Sequence, residues 1–113
     1  MAAPRSGDAM ILEERDYRIV QGMTGPFLQA YETLGLPVQR KHLGEPVGFF
    51  TTDIGELNHV VSMWRHDDYA QRSARRAAML GDPDWPAYLA AIKGMIEVQT
   101  VRILAPAPFS PLR

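Results

Sequence analysis

The sequence predicts an α+β domain of ferredoxin-like plan: a four-stranded antiparallel sheet laid down as βαββαβ, with helices on one face only. Three observations carry this. Four segments rich in branched and aromatic residues alternate as strands do. The stretches after the first and third of them carry apolar residues at helical spacing. The chain of 113 residues has the length of one domain.

The segment Met10 to Val20 (MILEERDYRIV) reads as the first strand. Ile11, Glu13, Arg15, Tyr17 and Ile19 point one way; Leu12, Glu14, Asp16 and Arg18 point the other. Thr24 to Leu36 reads as a helix capped by Thr24, with Phe27, Ala30, Tyr31 and Leu34 as its stripe. Gly35 and Pro37 interrupt it, and Val38 to Leu43 reads as a short helical extension. Val47 to Thr52 and Leu57 to Arg65 read as a hairpin of strands around the loop Asp53-Ile54-Gly55-Glu56. Asp67 is placed to cap a second helical region whose packing face is Ala70, Ala74 and Ala77, leaving Arg72, Arg75 and Arg76 on a solvated flank. Asp82-Pro83 reads as the start of a further helix buried through Trp85, Tyr88, Leu89 and Ile92. Ile96 to Leu104 is the last strand, and residues 1–9 and the proline-rich 105–113 are tails.

Composition narrows the partners. A formal net charge of −1 gives no global field to draw in nucleic acid or acidic lipid. The absence of cysteine removes disulfides and thiolate chemistry, and suits a cytoplasmic location. No apolar run approaches the roughly 20 residues of a membrane helix, and the opening MAAPRSGDA lacks the apolar stretch of a secretory signal. A sheet with one bare face must be covered, and a second copy of the same sheet is the simplest cover, so a homodimer is expected.

Candidate chemistry lies on the strands. On the third strand Leu57, His59, Val61 and Met63 form the more apolar face, assigned to the helices. Asn58, Val60, Ser62, Trp64 and His66 form a mixed face, assigned to the space between paired sheets, where a ligand pocket would lie. Ser62 and His66 are about 13 Å apart along a strand, too far for a nucleophile and its base. His59 and His66 face opposite sides, and neither an HExxH spacing nor a phosphate-binding glycine loop occurs, so no metal or cofactor is expected; haem ligation by His42, His59 or His66 is a minor alternative. His59 itself reads as a histidine satisfied within the layer between sheet and helices. On the first strand, Arg15 can hold a carboxylate or enolate through paired donors, and Tyr17 can exchange a proton at an oxygen. Glu13, Arg15 and Tyr17 on one face read equally as a structural ion pair at a dimer interface.

The chain resembles the NIPSNAP family across nearly all of residues 10 to 112. The resemblance rests on Ile11-x-Glu13-x-Arg15-x-Tyr17 with Gly22, and on Gly48-Phe49-Phe50 leading to Ile54-Gly55-x-Leu57-Asn58 and Trp64. It continues through Arg72, Arg75-Arg76 and Asp82-Pro83-x-Trp85 to the closing Leu104-x-Pro106-x-Pro108-Phe109-Ser110-Pro111. It implies a dimeric α+β barrel, in which two ferredoxin-like units pair through their sheets. Cofactor-free monooxygenases, isomerases and haem proteins share that superfamily. His59 and Ser62 depart from the glutamine and histidine expected there, which weakens a catalytic role at both positions.

Two functions of different class follow. One is a homodimer that binds a small enolisable or aromatic compound, with cofactor-free proton transfer or oxygenation. Arg15 and Tyr17 would be its catalytic pair, and Glu13, Phe49, Asn58, Ser62 and Trp64 its ligand-lining residues. The other is a non-catalytic interaction or scaffold protein whose sheet faces serve only to dimerise.

Overall fold

Alternating burial marks out the first strand. In the computed structural model, which describes residues 10–113, β1 (Ile11–Ile19) buries Ile11, Glu13, Arg15 and Ile19, while Leu12, Glu14 and Asp16 on the opposite face are half-covered. With β2 (Gly48–Thr51), β3 (His59–His66) and β4 (Ile96–Leu104) it forms one sheet in the order β2-β3-β1-β4, every neighbour antiparallel. The expected βαββαβ order and ferredoxin-like fold are present. The tail expected at 1–9 lies outside the described residues.

The first helical run does not break at Gly35-Leu36-Pro37. It passes from α1 (Thr24–Ala30) through a π-helical turn (Tyr31–Gly35) into α2 (Leu36–Leu43), which contains the expected extension. The Leu36 N–H donates to the Tyr31 carbonyl five residues back. Pro37 has no N–H to give, and the widened turn accommodates it where a regular helix would kink. The wider turn rotates the buried stripe: Phe27, Tyr31, Gly35 and Val38 face inward, whereas Leu34, expected in the stripe, is exposed. Thr24 does not cap the helix; its hydroxyl donates to Asn58 Oδ1 at 3.3 Å.

The helices after β3 also start later than the spacing suggests. Asp68, not Asp67, caps α3 (Tyr69–Leu80), its Oδ1 accepting the Gln71 N–H at 2.7 Å. Asp82-Pro83 forms a turn ahead of α4 (Trp85–Ala91): Asp82 Oδ1 accepts the Asp84 N–H at 2.9 Å, and its carbonyl accepts the Trp85 N–H at 3.1 Å. Asp82 also takes hydrogen bonds from His42 at 2.7 Å and Lys41 at 3.2 Å, which tie the end of α2 to this turn. The Asp84 N–H, then His42, hold its carboxyl at a pKa of about 2. Trp85, Tyr88 and Ile92 are buried as expected; Leu89 is not, since it lies off the short helix's inner face.

The core fills the layer between helices and sheet and is strongly aromatic, with Phe27, Tyr31, Trp64, Trp85 and Tyr88 in one cluster. Tyr31 meets Tyr88 edge-on at 5.7 Å. That contact needs Gly35 on the π turn, where an added Cβ would lie 2.8 Å from the Tyr88 ring. Gly35→Ala is therefore expected to cost about 1–3 kcal/mol in urea unfolding, the usual penalty for overpacking. A change below about 0.5 kcal/mol would show that the ring has room to move.

The faces of the sheet are reversed from the sequence expectation. The helices cover Glu13, Arg15 and Tyr17 together with Val60, Ser62, Trp64 and His66, because the β1–β3 register sets these residues side by side. His59, Val61 and Met63 lie on the bare face, and Leu57 is outside the strand and exposed. Apolar content misleads here, since the charged residues under the helices find partners on α3.

Candidate functional site

Strand alternation lines up Glu13, Arg15 and Tyr17, and their side chains bond to one another. Arg15 Nη1 donates to Glu13 Oε2 at 2.6 Å, and Arg15 Nε donates to the Tyr17 hydroxyl oxygen at 2.8 Å. The guanidinium carbon lies 5.6 Å from the centre of the Tyr17 ring. From α3, Arg72 Nε donates to Glu13 Oε1 at 2.6 Å, with Nη2 3.4 Å from Oε2. His66 Nε2 lies 3.4 Å from Glu13 Oε1 but lacks hydrogen-bond geometry. Its other nitrogen, Nδ1, is 3.3 Å from Arg75 Nη1, which can only donate, so His66 Nδ1 is the acceptor. Arg75 also donates to the carbonyls of Leu43 and Arg65.

The electrostatics follow from this packing. Glu13 is 2% exposed. Burial raises its pKa, but His66, Arg72 and Arg15 together outweigh burial and hold the carboxyl well below the usual carboxylate range. Burial works against the charge of Arg15, and the oxygens of Tyr17 and Glu13 more than restore it. Arg76 is pushed the other way, first by burial and then by the cation of Arg15. Glu13 thus serves as an anchor that stays ionised. Tyr17 is half-exposed at the end of the chain of bonds, with its hydroxyl oxygen held by Arg15.

The cluster has an open side. On β4, Gln99 stands opposite Tyr17 and Val101 opposite Arg15, and both are exposed, since no helix lies over that part of the strand. Behind the cluster stands an aromatic wall: Tyr17 meets Phe27 edge-on at 6.3 Å, and Phe49 meets Trp64 edge-on at 6.3 Å and Tyr31 tilted at 4.6 Å. A concavity of about 440 Å³ lies elsewhere, between the C-terminal segment and the start of β1. Its walls, Leu12, Leu104, Pro106, Phe109 and Leu112 among them, carry no titratable side chain.

Of the residues singled out from sequence, Glu13, Arg15 and Tyr17 come together, but under the helices and not between paired sheets. Trp64 is fully buried in the core, and Ser62 accepts its indole N–H at 3.0 Å. Phe49 is half-buried in the same aromatic wall. Asn58 stands apart: it has a left-handed φ of 65°, and its carbonyl accepts the Ile19 N–H at 2.7 Å, so it turns the chain into β3. His59, expected within the sheet–helix layer, lies on the bare face with Nδ1 2.6 Å from Asp16. Among the described residues no three His, Asp or Glu side chains gather as metal ligands.

Sequence reasoning missed the α3 contribution. Arg72, Arg75, Arg76 and Met79 recur at three- and four-residue steps and form the inward face of α3, while Ala74 and Ala77 are exposed. The arginine stems pack and their heads reach acceptors on the sheet. That spacing was the available signal; the alanines looked more like a packing face.

These features define a class: a ferredoxin-like α+β domain with an ionised cluster between sheet and helices. Within that class the chain belongs to the NIPSNAP family, whose family model matches residues 12–111. It is 28% identical over 108 residues to the mouse protein NipSnap homolog 3B, which covers 94% of this chain and 43% of that protein. The chain thus spans less than half the length of this curated relative. A NIPSNAP family protein of Agrobacterium tumefaciens superimposes with a TM-score of 0.87 at 39% identity, covering 92% of this chain and 94% of the other. A Nitrosomonas europaea protein named for antibiotic biosynthesis monooxygenases shares the fold alone, with a TM-score of 0.64 at 9% identity over 89% of this chain and 93% of that one. No helix among the described residues is long and apolar enough to cross a membrane.

Proposed function

We propose that this protein is a small-ligand-binding homodimer whose ligand sits beside Tyr17, between the sheet and α3. Its chemistry is cofactor-free proton transfer or oxygenation on an enolisable or aromatic compound. The observation that carries this reading is the fixed chain Glu13–Arg15–Tyr17, which ends at the hydroxyl of a half-exposed tyrosine. Arg15 occupies one lone pair of the Tyr17 oxygen and leaves the phenolic proton free to be given to a substrate oxygen. Glu13 carries the charge that keeps Arg15 in place.

Phenylpyruvate is a suitable probe, since it is aromatic, enolisable and its enol absorbs in the ultraviolet. Tyr17→Phe is expected to abolish catalysed tautomerisation or oxygen uptake while lowering stability by only about 1 kcal/mol, one hydrogen bond's worth. Equal turnover in wild type and variant, or none in either, would contradict the reading. A scaffold role is the alternative, and Arg72 favours it by closing on Glu13 from α3. In that case the cluster locks helix to sheet, and phenylpyruvate does not bind.

The homodimer is proposed from the bare sheet face. Val61 and Met63 are half-covered there, and Phe50 and Val98 are exposed, beside the ion pairs Glu14–Arg102 and Arg18–Glu97. Light scattering is expected to give twice the 12.7 kDa chain mass; a stable 12.7 kDa species at micromolar concentration would contradict it.

A further inference from the structure

We infer that Arg76 is a receptor for the negative charge of a small organic carboxylate, bound against the inward face of α3 beside Arg15 and Tyr17. The inference rests on the ligand-binding reading above and gives its ligand a charge.

The first support is an imbalance of charge. Two guanidinium groups, Arg15 and Arg72, share the single carboxylate of Glu13, and Arg76, one turn beyond Arg72 on the same inward stripe, has its charge disfavoured by burial and by the cations of Arg15 and Arg72. Glu13 spends both oxygens on Arg15 and Arg72. Arg76 has no carboxylate within ion-pair distance among the described residues, whereas Arg72, one turn earlier, has Glu13. Leaving like charges together in a half-buried place is unfavourable for folding alone, and a bound anion removes that cost.

The second support is geometric. Arg76 belongs to the inward stripe Arg72–Arg75–Arg76–Met79 and is half-buried, so it faces the sheet and not open solvent. Exposed Gln99 and Val101 of β4 leave the same face accessible. His66 adds a third feature. It is 1% exposed, and its Nε2 is turned toward the cluster, 3.4 Å from Glu13 Oε1. A planar carboxylate suits a guanidinium through two parallel hydrogen bonds, which lysine would not supply.

The test uses benzoate and its neutral isostere benzamide with the full chain. Calorimetry is expected to show benzoate binding and benzamide binding much more weakly. Arg76→Met should weaken benzoate by about ten- to a hundred-fold, the range for a lost hydrogen bond to a charged group, and leave benzamide unchanged. Arg76→Lys should recover only part of the affinity. Arg40→Met, on the far end of α2 and paired with Glu45, should match wild type. A merely structural arginine is separated by melting: without ligand, Arg76→Met should melt at or above the wild-type temperature, because it relieves repulsion with Arg15. A lower melting temperature, equal benzoate affinity in wild type and Arg76→Met, or no benzoate binding would overturn the inference. Tautomerisation of phenylpyruvate that still depends on Tyr17 would, in any of those cases, leave the broader reading standing.

Discussion

Glu13→Gln is expected to lower stability by about 3–5 kcal/mol, a large share of the roughly 5–15 kcal/mol available to a domain of this size. The substitution keeps volume and shape. It removes the charge that two guanidinium groups share at 2.6 Å, one of them on the buried Arg15. Breaking a buried ion pair from one side is costly because the remaining charge has neither water nor partner. Urea unfolding of wild type and Glu13→Gln measures the difference. A cost below about 1 kcal/mol would mean that water reaches Arg15 freely.

The same carboxylate makes stability depend on pH. Its folded pKa is depressed below the unfolded value of about 4.3, so Glu13 contributes fully above that value. The contribution falls as pH drops below about 4, because the unfolded chain then binds a proton that the folded one refuses. Wild type should therefore lose melting temperature on acidification below pH 4 more steeply than Glu13→Gln, which has already lost this term.

Trp64→Ala is expected to cost a further large amount, about 3–5 kcal/mol, the range for truncating a fully buried Trp. Trp64 is 0% exposed, meets Phe49 edge-on and spends its indole N–H on Ser62. The sequence placed this residue at a ligand pocket; its burial places it behind one. Trp64→Phe should recover much of the loss. Were Trp64→Ala to leave stability within about 1 kcal/mol and change only ligand affinity, the residue would be lining a pocket after all.

The strands, their succession along the chain and the helical part of the aromatic core (Phe27, Tyr31, Trp85 and Tyr88) were legible because alternation and helical spacing are local properties. The residues of the cluster on β1 were legible for the same reason: Glu13, Arg15 and Tyr17 share a parity whatever covers them. Which face the helices cover was not legible. That choice depends on Arg72 arriving from α3 to satisfy Glu13, and on Arg75 arriving to satisfy His66, both contacts between residues far apart in sequence. Judged by hydrophobicity alone, the face bearing Val61 and Met63 looks the better candidate for burial, and the structure leaves it bare. The π turn was hidden too. Gly35 and Pro37 signalled an irregularity, but only the packing of Tyr88 against Gly35 makes it a widened turn and not an end.

A small ligand is proposed to bind between the sheet and α3. Nuclear magnetic resonance of the nitrogen-labelled protein, titrated with phenylpyruvate, tests it most directly. Shifts confined to Tyr17, Gln99 and Val101 and to the side-chain Nε–H signals of Arg15, Arg72 and Arg76 are expected. Shifts centred on Phe50, Val61 and Met63 of the bare face, shifts at Phe109 and Leu112 beside the C-terminal concavity, or no shift at all would contradict it.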